Sequence, residues 1–291
     1  MSETAEPAQP QPRGPGRNLP AAIGVGAGLA AVVVACLLWW NWGFVLLVAA
    51  MLSRGAVEVA RAVRRLGMRP ATVPIVFGTV LIVVGSYAAA QTEHLLGLTP
   101  NAVTIGSLGL TVLAALVWRM PGGSDGYVRD SAASLFLIGY LPTLGSFLSL
   151  LMAPADGAAR VATFILCIVM SDTGGYVVGV LVGKHPMAPR ISPKKTWEGF
   201  AGSIVAAAAM GAFLAVFALH TEFWKGILIG IALVFAGTGG DLIESMIKRD
   251  VGIKDMSHVL PGHGGVMDRL DSLLVGAPIA WIVMYLLVPG G

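Results

Sequence analysis

The sequence predicts an all-α, polytopic membrane protein with about nine transmembrane helices, its N-terminus in the cytoplasm and its C-terminus outside. The first observation is composition: 56% of the 291 residues are hydrophobic, 12% are charged, and the mean hydropathy is +0.79. A soluble core cannot bury that much apolar surface, so a bilayer is the expected solvent. The second observation is a series of long apolar runs, and the third is the placement of charge between them.

The apolar runs set the order of the predicted helices, since a helix needs roughly 20 apolar residues to cross the hydrocarbon layer. Runs near this length lie at about residues 21–38, 42–60, 71–90, 102–118, 133–152, 161–182, 201–219, 226–247 and 272–288. The second run is the weakest, because Arg54, Glu58 and Arg61 interrupt its end. We expect these side chains to reach the headgroups, or the helix to leave the membrane near Ser53.

The segment before the first run, residues 1–20, is polar and rich in proline, which predicts a disordered cytoplasmic tail. Arg13 and Arg17 precede the first run as they would in a signal peptide. No clear cleavage site follows, however, and further spans come at once. We therefore expect an uncleaved first helix.

The positions of the basic residues predict the orientation. With the N-terminus inside, 17 of the 19 Lys and Arg residues fall in cytoplasmic segments, and only Arg160 and Lys225 fall outside. This bias follows the positive-inside rule and supports an odd number of spans. No surface of interleaved basic and aromatic residues indicates nucleic-acid binding. Cys36 and Cys167 both lie in apolar runs, so neither a disulfide framework nor a cysteine metal cluster is expected.

Two cytoplasmic segments carry more polar chemistry than topology requires. The first is GKHPMAPRISPKKTWEG at residues 183–199, and the second is SMIKRDVGIKDMSHVLPGHGGVMDRLDS at residues 245–272. A positive-inside loop has no need of carboxylates facing its lysines, or of glycines that let the backbone approach a ligand. These segments therefore predict a functional site.

Aspartates within the spans point to the same place. Asp241, Ser245 and Lys248 are spaced i, i+4, i+7, so they share one face at the cytoplasmic end of the eighth predicted helix. Asp172 lies well inside the sixth run. An ionisable group within a span is costly unless it is paired, solvated or bound to an ion, so both aspartates are site candidates. The alternative is a structural Asp–Lys pair between helices. Glu244 can pair with Lys248 or face headgroups, and it is not included.

Asp268 and Asp271 lie three residues apart at the start of the ninth predicted helix, where they share a face and where the helix N-terminus favours an anion. Carboxylates beside Lys, Arg and glycine suit Mg²⁺ and phosphates, since Mg²⁺ usually bridges one or two carboxylates to a substrate phosphate. His258 and His263 have no third nitrogen or sulfur ligand spaced nearby, so a zinc site is not expected.

The spaced pattern in the second segment resembles the signature of the phosphatidate cytidylyltransferases, also called CDP-diacylglycerol synthases. The stretch SDTGGYVVGVLVGKHPMAPRISPKKTWEG at residues 171–199 is similar to a second block of that family. The resemblance covers roughly residues 160–290, and the N-terminal half matches only as a hydrophobic multi-span region. The residues that carry the signature are Ser245, Lys248, Arg249, Lys254, Asp255, Ser257, Leu260, Pro261, His263, Gly264, Gly265, Asp268, Arg269 and Asp271.

The resemblance implies transfer of the cytidylyl group of CTP to phosphatidate, giving CDP-diacylglycerol and pyrophosphate with one or two Mg²⁺ ions. Asp241 and Asp268 are then metal ligands and, with Lys248, catalytic residues. For Lys194 and Lys195 the alternative is a pair of headgroup lysines. The implied substrate-binding residues are Ser192, Lys194, Lys195, Ser245, Arg249, Lys254, Asp255, His263, Gly264, Gly265, Arg269, Asp271 and Asp172.

On this interpretation residues 21–158 are N-terminal transmembrane helices and residues 159–291 a C-terminal transmembrane catalytic region. We expect a multi-pass protein of the plasma membrane with its active site at the cytoplasmic face, and a homodimer is also considered. Two alternatives stay open. A cytidylyltransferase or a CTP-dependent kinase acting on another membrane lipid shares nearly every physical argument. A cation-coupled transporter would also carry aspartates within spans, but it predicts an inverted repeat, and none is evident.

Overall fold

A computed structural model describes residues 19–92, 98–257, 259 and 264–289, with side chains from residue 24 onward. The chain folds into a helical bundle with one small hairpin. The elements are α1 (Leu19–Trp39), α2 (Asn41–Val63), α3 (Thr72–Gln91), α4 (Pro100–Arg119), α5 (Tyr127–Ile138), α6 (Leu144–Met152), α7 (Gly157–Val182), β1 (Pro186–Ala188), β2 (Ser192–Thr196), α8 (Trp197–Phe217), α9 (Phe223–Val251) and α10 (Met267–Leu287). The predicted tail at residues 1–20 lies almost wholly outside the described residues.

Each of the nine apolar runs is helical, and α5 and α6 form one span through a π-helical turn that contains Pro142. Within the described ranges, eight helical segments are long and apolar enough to cross a membrane. The remaining segment, Gly24–Trp39 of α1, is apolar but shorter. The all-α polytopic membrane class is therefore confirmed, whereas the orientation of the termini stays a prediction.

Glycines let the helices of the C-terminal half approach closely. α7 packs on α8, α8 on α9, and α9 on α10. A Cβ added to Gly226 of α9 would lie 2.0 Å from the carbonyl oxygen of Gly211 in α8, and one added to Gly240 would lie 2.4 Å from the carbonyl oxygen of Asp271 in α10. Only hydrogen fits at these crossings, as is common where membrane helices pack. Asp241 follows Gly240 and is thereby placed beside the first turns of α10.

The two ends of the bundle differ in chemistry. Arg160, near the start of α7, donates a hydrogen bond from Nε to Asp156 Oδ1 at 2.7 Å and another from Nη2 to the carbonyl oxygen of Pro289 at 3.1 Å. The start of α7 and the end of α10 are therefore neighbours. The hairpin and the α9–α10 connection lie at the opposite end, where the polar site is found.

Two local expectations are wrong. Glu58 does not reach headgroups, because α2 continues to Val63 and Glu58 is 1% exposed inside the bundle, whereas Arg61 is exposed as expected. The segment at residues 183–199 contains more than a loop, because β1 and β2 pair antiparallel there, with Pro186 opposite Thr196. Both differences arise from tertiary contacts that a local hydropathy pattern does not contain.

Candidate active site

Two polar cavities meet at Asp172 and Asp241. The first, of about 300 Å³, lies among α7, the hairpin, α8 and α9, and Lys194 and Lys195 line it. The second, of about 290 Å³, lies among α7, α9 and α10. Its charged lining residues are Asp172, Asp241, Asp268, Arg269 and Asp271. The structure thus brings the predicted aspartates of three separate helices to one place.

Asp241 joins the hairpin to the helices. Lys195 Nζ donates a hydrogen bond to Asp241 Oδ2 at 2.5 Å, and the Ser272 hydroxyl donates to Asp241 Oδ1. Lys195 is half-buried in this arrangement, so it faces the site and not the headgroups. Lys194 lines the same cavity but is exposed.

Lys248 joins α9 to α10. Its Nζ donates to Asp268 Oδ1 at 2.9 Å and also pairs with Glu244 Oε2, one helical turn earlier. Glu244 is 1% exposed, and among the described residues no hydrogen bond reaches its buried Oε1. Glu244 is not among the predicted site residues. Its i, i+4 spacing from Lys248 is visible in the sequence, but the direction in which that pair faces is set by the packing of α9.

Asp268 organises the segment that precedes α10. Its Oδ2 accepts hydrogen bonds from the backbone N–H of Gly265 at 2.6 Å and of Met256 at 3.1 Å. Gly264 has a φ of +81°, and a Cβ there would lie 2.8 Å from Asp268 Oδ2, so both its conformation and its surroundings require glycine. In the structure the Gly265 amide therefore holds the Asp268 carboxylate, and Gly264 leaves room for it.

Glu58 reaches the same segment from the N-terminal half. Its Oε1 accepts from Ser257 Oγ at 2.7 Å, and its Oε2 accepts from the backbone N–H of Met267 at 3.0 Å. Arg54 Nε lies 3.6 Å from Oε1. The sequence pattern missed this residue, because its only local partner is Arg54 and its other contacts lie far along the chain.

Several predicted residues lie away from the cavities in the described part of the chain. Ser192 and Ser245 are half-buried and line neither cavity, while Arg249, Lys254 and Asp255 are exposed and also line neither. The exposed residues follow the turns where α9 ends, at the surface of the bundle. His263 lies outside the described residues.

An apolar cavity adjoins the second polar cavity. It has a volume of about 460 Å³ and lies among α1, α2, α6, α7 and α10. The residues common to both cavities are Ile165, Val169, Arg269 and Leu273. A ligand with a charged head and long apolar chains could therefore extend from one into the other.

This fold and site define a polytopic membrane protein with an acidic, lysine-lined pocket between its helices. Residues 21–287 match the model of the cytidylyltransferase family, and the chain belongs to that family. The family resemblance found in the sequence pattern is thus confirmed.

Individual relatives are similar over most of the chain. The phosphatidate cytidylyltransferase of Mycobacterium leprae is 41% identical over 94% of this chain and 89% of its own length. That of Mycobacterium bovis is 38% identical over 94% of this chain and 90% of its own length. A phosphatidate cytidylyltransferase of Staphylococcus epidermidis is 36% identical over 53% of this chain and 59% of its own length.

Proposed function

We propose that the chain transfers the cytidylyl group of CTP to phosphatidate, producing CDP-diacylglycerol and pyrophosphate. The observation that carries the proposal is the paired cavity in a member of the cytidylyltransferase family, where Asp172 and Asp241 face Lys194 and Lys195. The relatives of similar length bear the name of this activity. The proposed activity is a nucleotidyl transfer in phospholipid biosynthesis.

The lipid substrate fits the adjoining apolar cavity. Arg269 lines both this cavity and the polar one, and a guanidinium is well suited to a phosphate monoester. The acyl chains can then lie among apolar side chains of α2 and α7, such as Val48 and Phe164. Binding in this way keeps the charged head at the carboxylate cavity and the chains out of water.

The donor set of the second cavity fits Mg²⁺. Within the described residues, Asp172 and Asp271 line the cavity without forming a salt bridge, so their oxygens can serve a hard cation. No group of three or more His, Cys, Asp or Glu in the described part of the chain is arranged to hold a metal by itself. Mg²⁺ would therefore be shared between one or two carboxylates and substrate phosphate, which is its usual mode of binding. Asp241 and Asp268 line the same cavity and are the proposed ligands; Mg²⁺ would replace Lys195 and Lys248 as the partners of these carboxylates and would neutralise charge on the phosphates.

The proposed reaction requires little covalent chemistry from the side chains of the protein. A phosphate oxygen of phosphatidate attacks the α-phosphorus of CTP, a new P–O bond forms, and the bond to pyrophosphate breaks. Because the nucleophile is already an anion, no serine or histidine nucleophile is needed. The contribution of the protein is positioning and electrostatic stabilisation, to which Lys194, Lys195 and Arg269 contribute by holding phosphates.

The cellular setting is part of the proposal. We place the chain in the plasma membrane, with its active site facing the cytoplasm where CTP is present. The cytoplasmic assignment relies on the distribution of basic residues. A homodimer stays a hypothesis, which light scattering of the purified protein would test.

The experiment is to incubate purified protein with CTP, phosphatidate and Mg²⁺. We expect CDP-lipid and pyrophosphate in equal amounts. CDP together with a phosphorylated lipid would instead indicate a CTP-dependent kinase. Turnover of another lipid in preference to phosphatidate would indicate a different cytidylyltransferase, and a chain that turns over no lipid would contradict the proposal.

A further inference from the structure

Glu58 is a buried carboxylate far in sequence from the other carboxylates of the site. It lies in α2, is 1% exposed, and accepts hydrogen bonds from Ser257 and Met267. Burying a charged group is costly unless its oxygens are satisfied, so a hydrophobic residue would be the ordinary choice at this depth. The contacts of Glu58 therefore call for a specific role.

One contact lies within the connection between α9 and α10, and the other lies at the first residue of α10. Ser257 precedes the part of this connection that is not described, and Met267 is the first residue of α10. The first backbone N–H groups of a helix have no partner within the helix, and Glu58 supplies one for Met267 from a different helix. A Cβ on Gly265 would lie 2.6 Å from Glu58 Oε2, so the chain also passes close to the carboxylate between these contacts.

The residues fixed in this way lead directly to the site. Asp268 follows Met267, and it accepts from the Gly265 and Met256 amides and from Lys248. Movement of Met267 would carry Asp268 with it. Glu58 itself lines none of the three cavities described above, so it acts on them through these neighbours.

We propose that Glu58 is a positioning residue for the site. It ties Ser257, within the α9–α10 connection, to the first residue of α10 and thereby keeps Asp268 and Lys248 in the arrangement that the reaction needs. The inference rests on the proposed function. It assigns a role in the C-terminal site to the N-terminal half, which the family model also covers, although the sequence pattern alone related that half to the family only as a hydrophobic region.

The test is Glu58→Gln. Both oxygens of Glu58 accept hydrogen bonds, whereas the glutamine amide is neutral and presents one acceptor and one donor group, so both contacts persist only if the Ser257 hydroxyl turns from donor to acceptor, and both are then weaker. We expect kcat/KM for CTP, per folded protein, to fall at least about tenfold. Ser257→Ala removes a single contact and should cause a smaller loss. The kcat/KM of the double variant should be no lower than that of Glu58→Gln, because the effects of substituting two residues that contact each other are not additive.

Asp130 offers a matched control. It is also a carboxylate at 1% exposure, and it ties segments together by accepting from the Arg69 N–H at 2.8 Å and from Arg119 Nε at 2.7 Å. It lines none of the cavities described above. Asp130→Asn should lower the unfolding temperature but leave kcat/KM per folded protein unchanged.

Hydrogen exchange separates positioning from general stability. The Gly265 and Met267 amides should exchange faster in Glu58→Gln than in Asp130→Asn or the unaltered protein. If Glu58→Gln does not fold, Ser257→Ala supports the same exchange comparison. The inference is overturned if kcat/KM stays within about twofold of the unaltered protein, or if exchange at these amides does not change. If the unaltered protein makes no CDP-lipid, the proposed function fails, whereas the exchange result still decides the structural role of Glu58.

Discussion

Two lysines connect the elements of the site, and each is held by carboxylates. Lys195 brings the hairpin to α9 through Asp241, and Lys248 brings α9 to α10 through Asp268. Both lysines are partly withdrawn from solvent, so their partners are not simply replaced by water. A lysine in such a position has its geometry determined by the protein, unlike a headgroup lysine.

Lys248→Arg tests this distinction at constant charge. The Lys248 side chain is 17% exposed, and a compact ammonium contacts both Glu244 and Asp268. The wider planar guanidinium does not fit the same space. We expect activity to fall at least about tenfold, which corresponds to about 1.4 kcal/mol of transition-state stabilisation, with membrane insertion unchanged.

Lys184→Arg is the control for this change. Lys184 is exposed at the start of the hairpin segment, whereas Lys248 is enclosed by two carboxylates; neither lysine lines a polar cavity described above. The activity of the Lys184→Arg protein should match that of the unaltered protein. Equal activities of the two arginine variants would show that Lys248 serves only as a general positive charge.

The sequence predicted residues whose signal is local and missed those whose role depends on distant contacts. Asp172 and Asp241 stand out because each is an ionisable group inside an apolar run, and the structure brings them to one cavity. Glu58 also lies inside an apolar run, near its end, but its partner Ser257 is 199 positions away. Without the fold, the headgroup interpretation of Glu58 was the simpler one.

The crossing of α9 and α10 positions the aspartates at the scale of secondary structure. Gly240 lies at this crossing, where a Cβ would be 2.4 Å from the carbonyl oxygen of Asp271 and 3.0 Å from Ser272 Cα. These are backbone atoms, so a change of side-chain rotamer cannot relieve the clash with an added Cβ. The contact between Asp241 and Ser272 depends on this close approach.

Gly240→Ala should therefore separate α9 from α10. We expect a loss of about 1–3 kcal/mol of stability, as for other overpacked sites, together with a fall in activity. The neighbouring Gly239→Ala is a direct control, because nothing lies within 4 Å of a Cβ added there. Alanine favours a helix over glycine by about 1 kcal/mol, so Gly239→Ala should be neutral or stabilising. Thermal unfolding of both variants measures the difference, and equal unfolding temperatures would rule out a tight crossing.

At this scale the apolar runs predicted every helix, because length and hydropathy are properties of the run itself. The hairpin was not predicted, since residues 183–199 contain prolines, lysines and glycines without a clear alternation. Its strands are three and five residues long and pair only with each other. Such short strands depend on the flanking helices, which fix the two ends of the segment.

The whole molecule separates two chemically different ends. Arg160 and Lys225 lie near the starts of α7 and α9, and the acidic site lies at the other end of these helices. The distribution of basic residues predicts that the site end faces the cytoplasm. The position of the acidic site and the distribution of basic residues therefore predict one membrane topology, with the site end in the cytoplasm.

Cysteine labelling tests that topology in intact cells. Cys36→Ser removes one native cysteine, and Cys167 is buried. A single introduced cysteine is then the accessible thiol among the described residues. Arg190→Cys lies in the exposed turn of the hairpin, and Glu222→Cys lies at the other end of α8. Arg190→Cys should resist an impermeant thiol reagent until the cells are lysed, whereas Glu222→Cys should react at once. The reverse pattern would place the site outside and exclude cytoplasmic CTP as its substrate.

The most direct measurement of the central claim is the turnover of Asp241→Asn with CTP, phosphatidate and Mg²⁺. Asp241 lies where the two polar cavities meet and contacts both Lys195 and Ser272. Glu222→Gln is the control, since Glu222 is exposed at the opposite end and pairs with Lys225. We expect no detectable CDP-lipid from the folded Asp241→Asn protein and normal turnover from Glu222→Gln. Near-normal turnover by Asp241→Asn would contradict the assignment of this cavity as the active site.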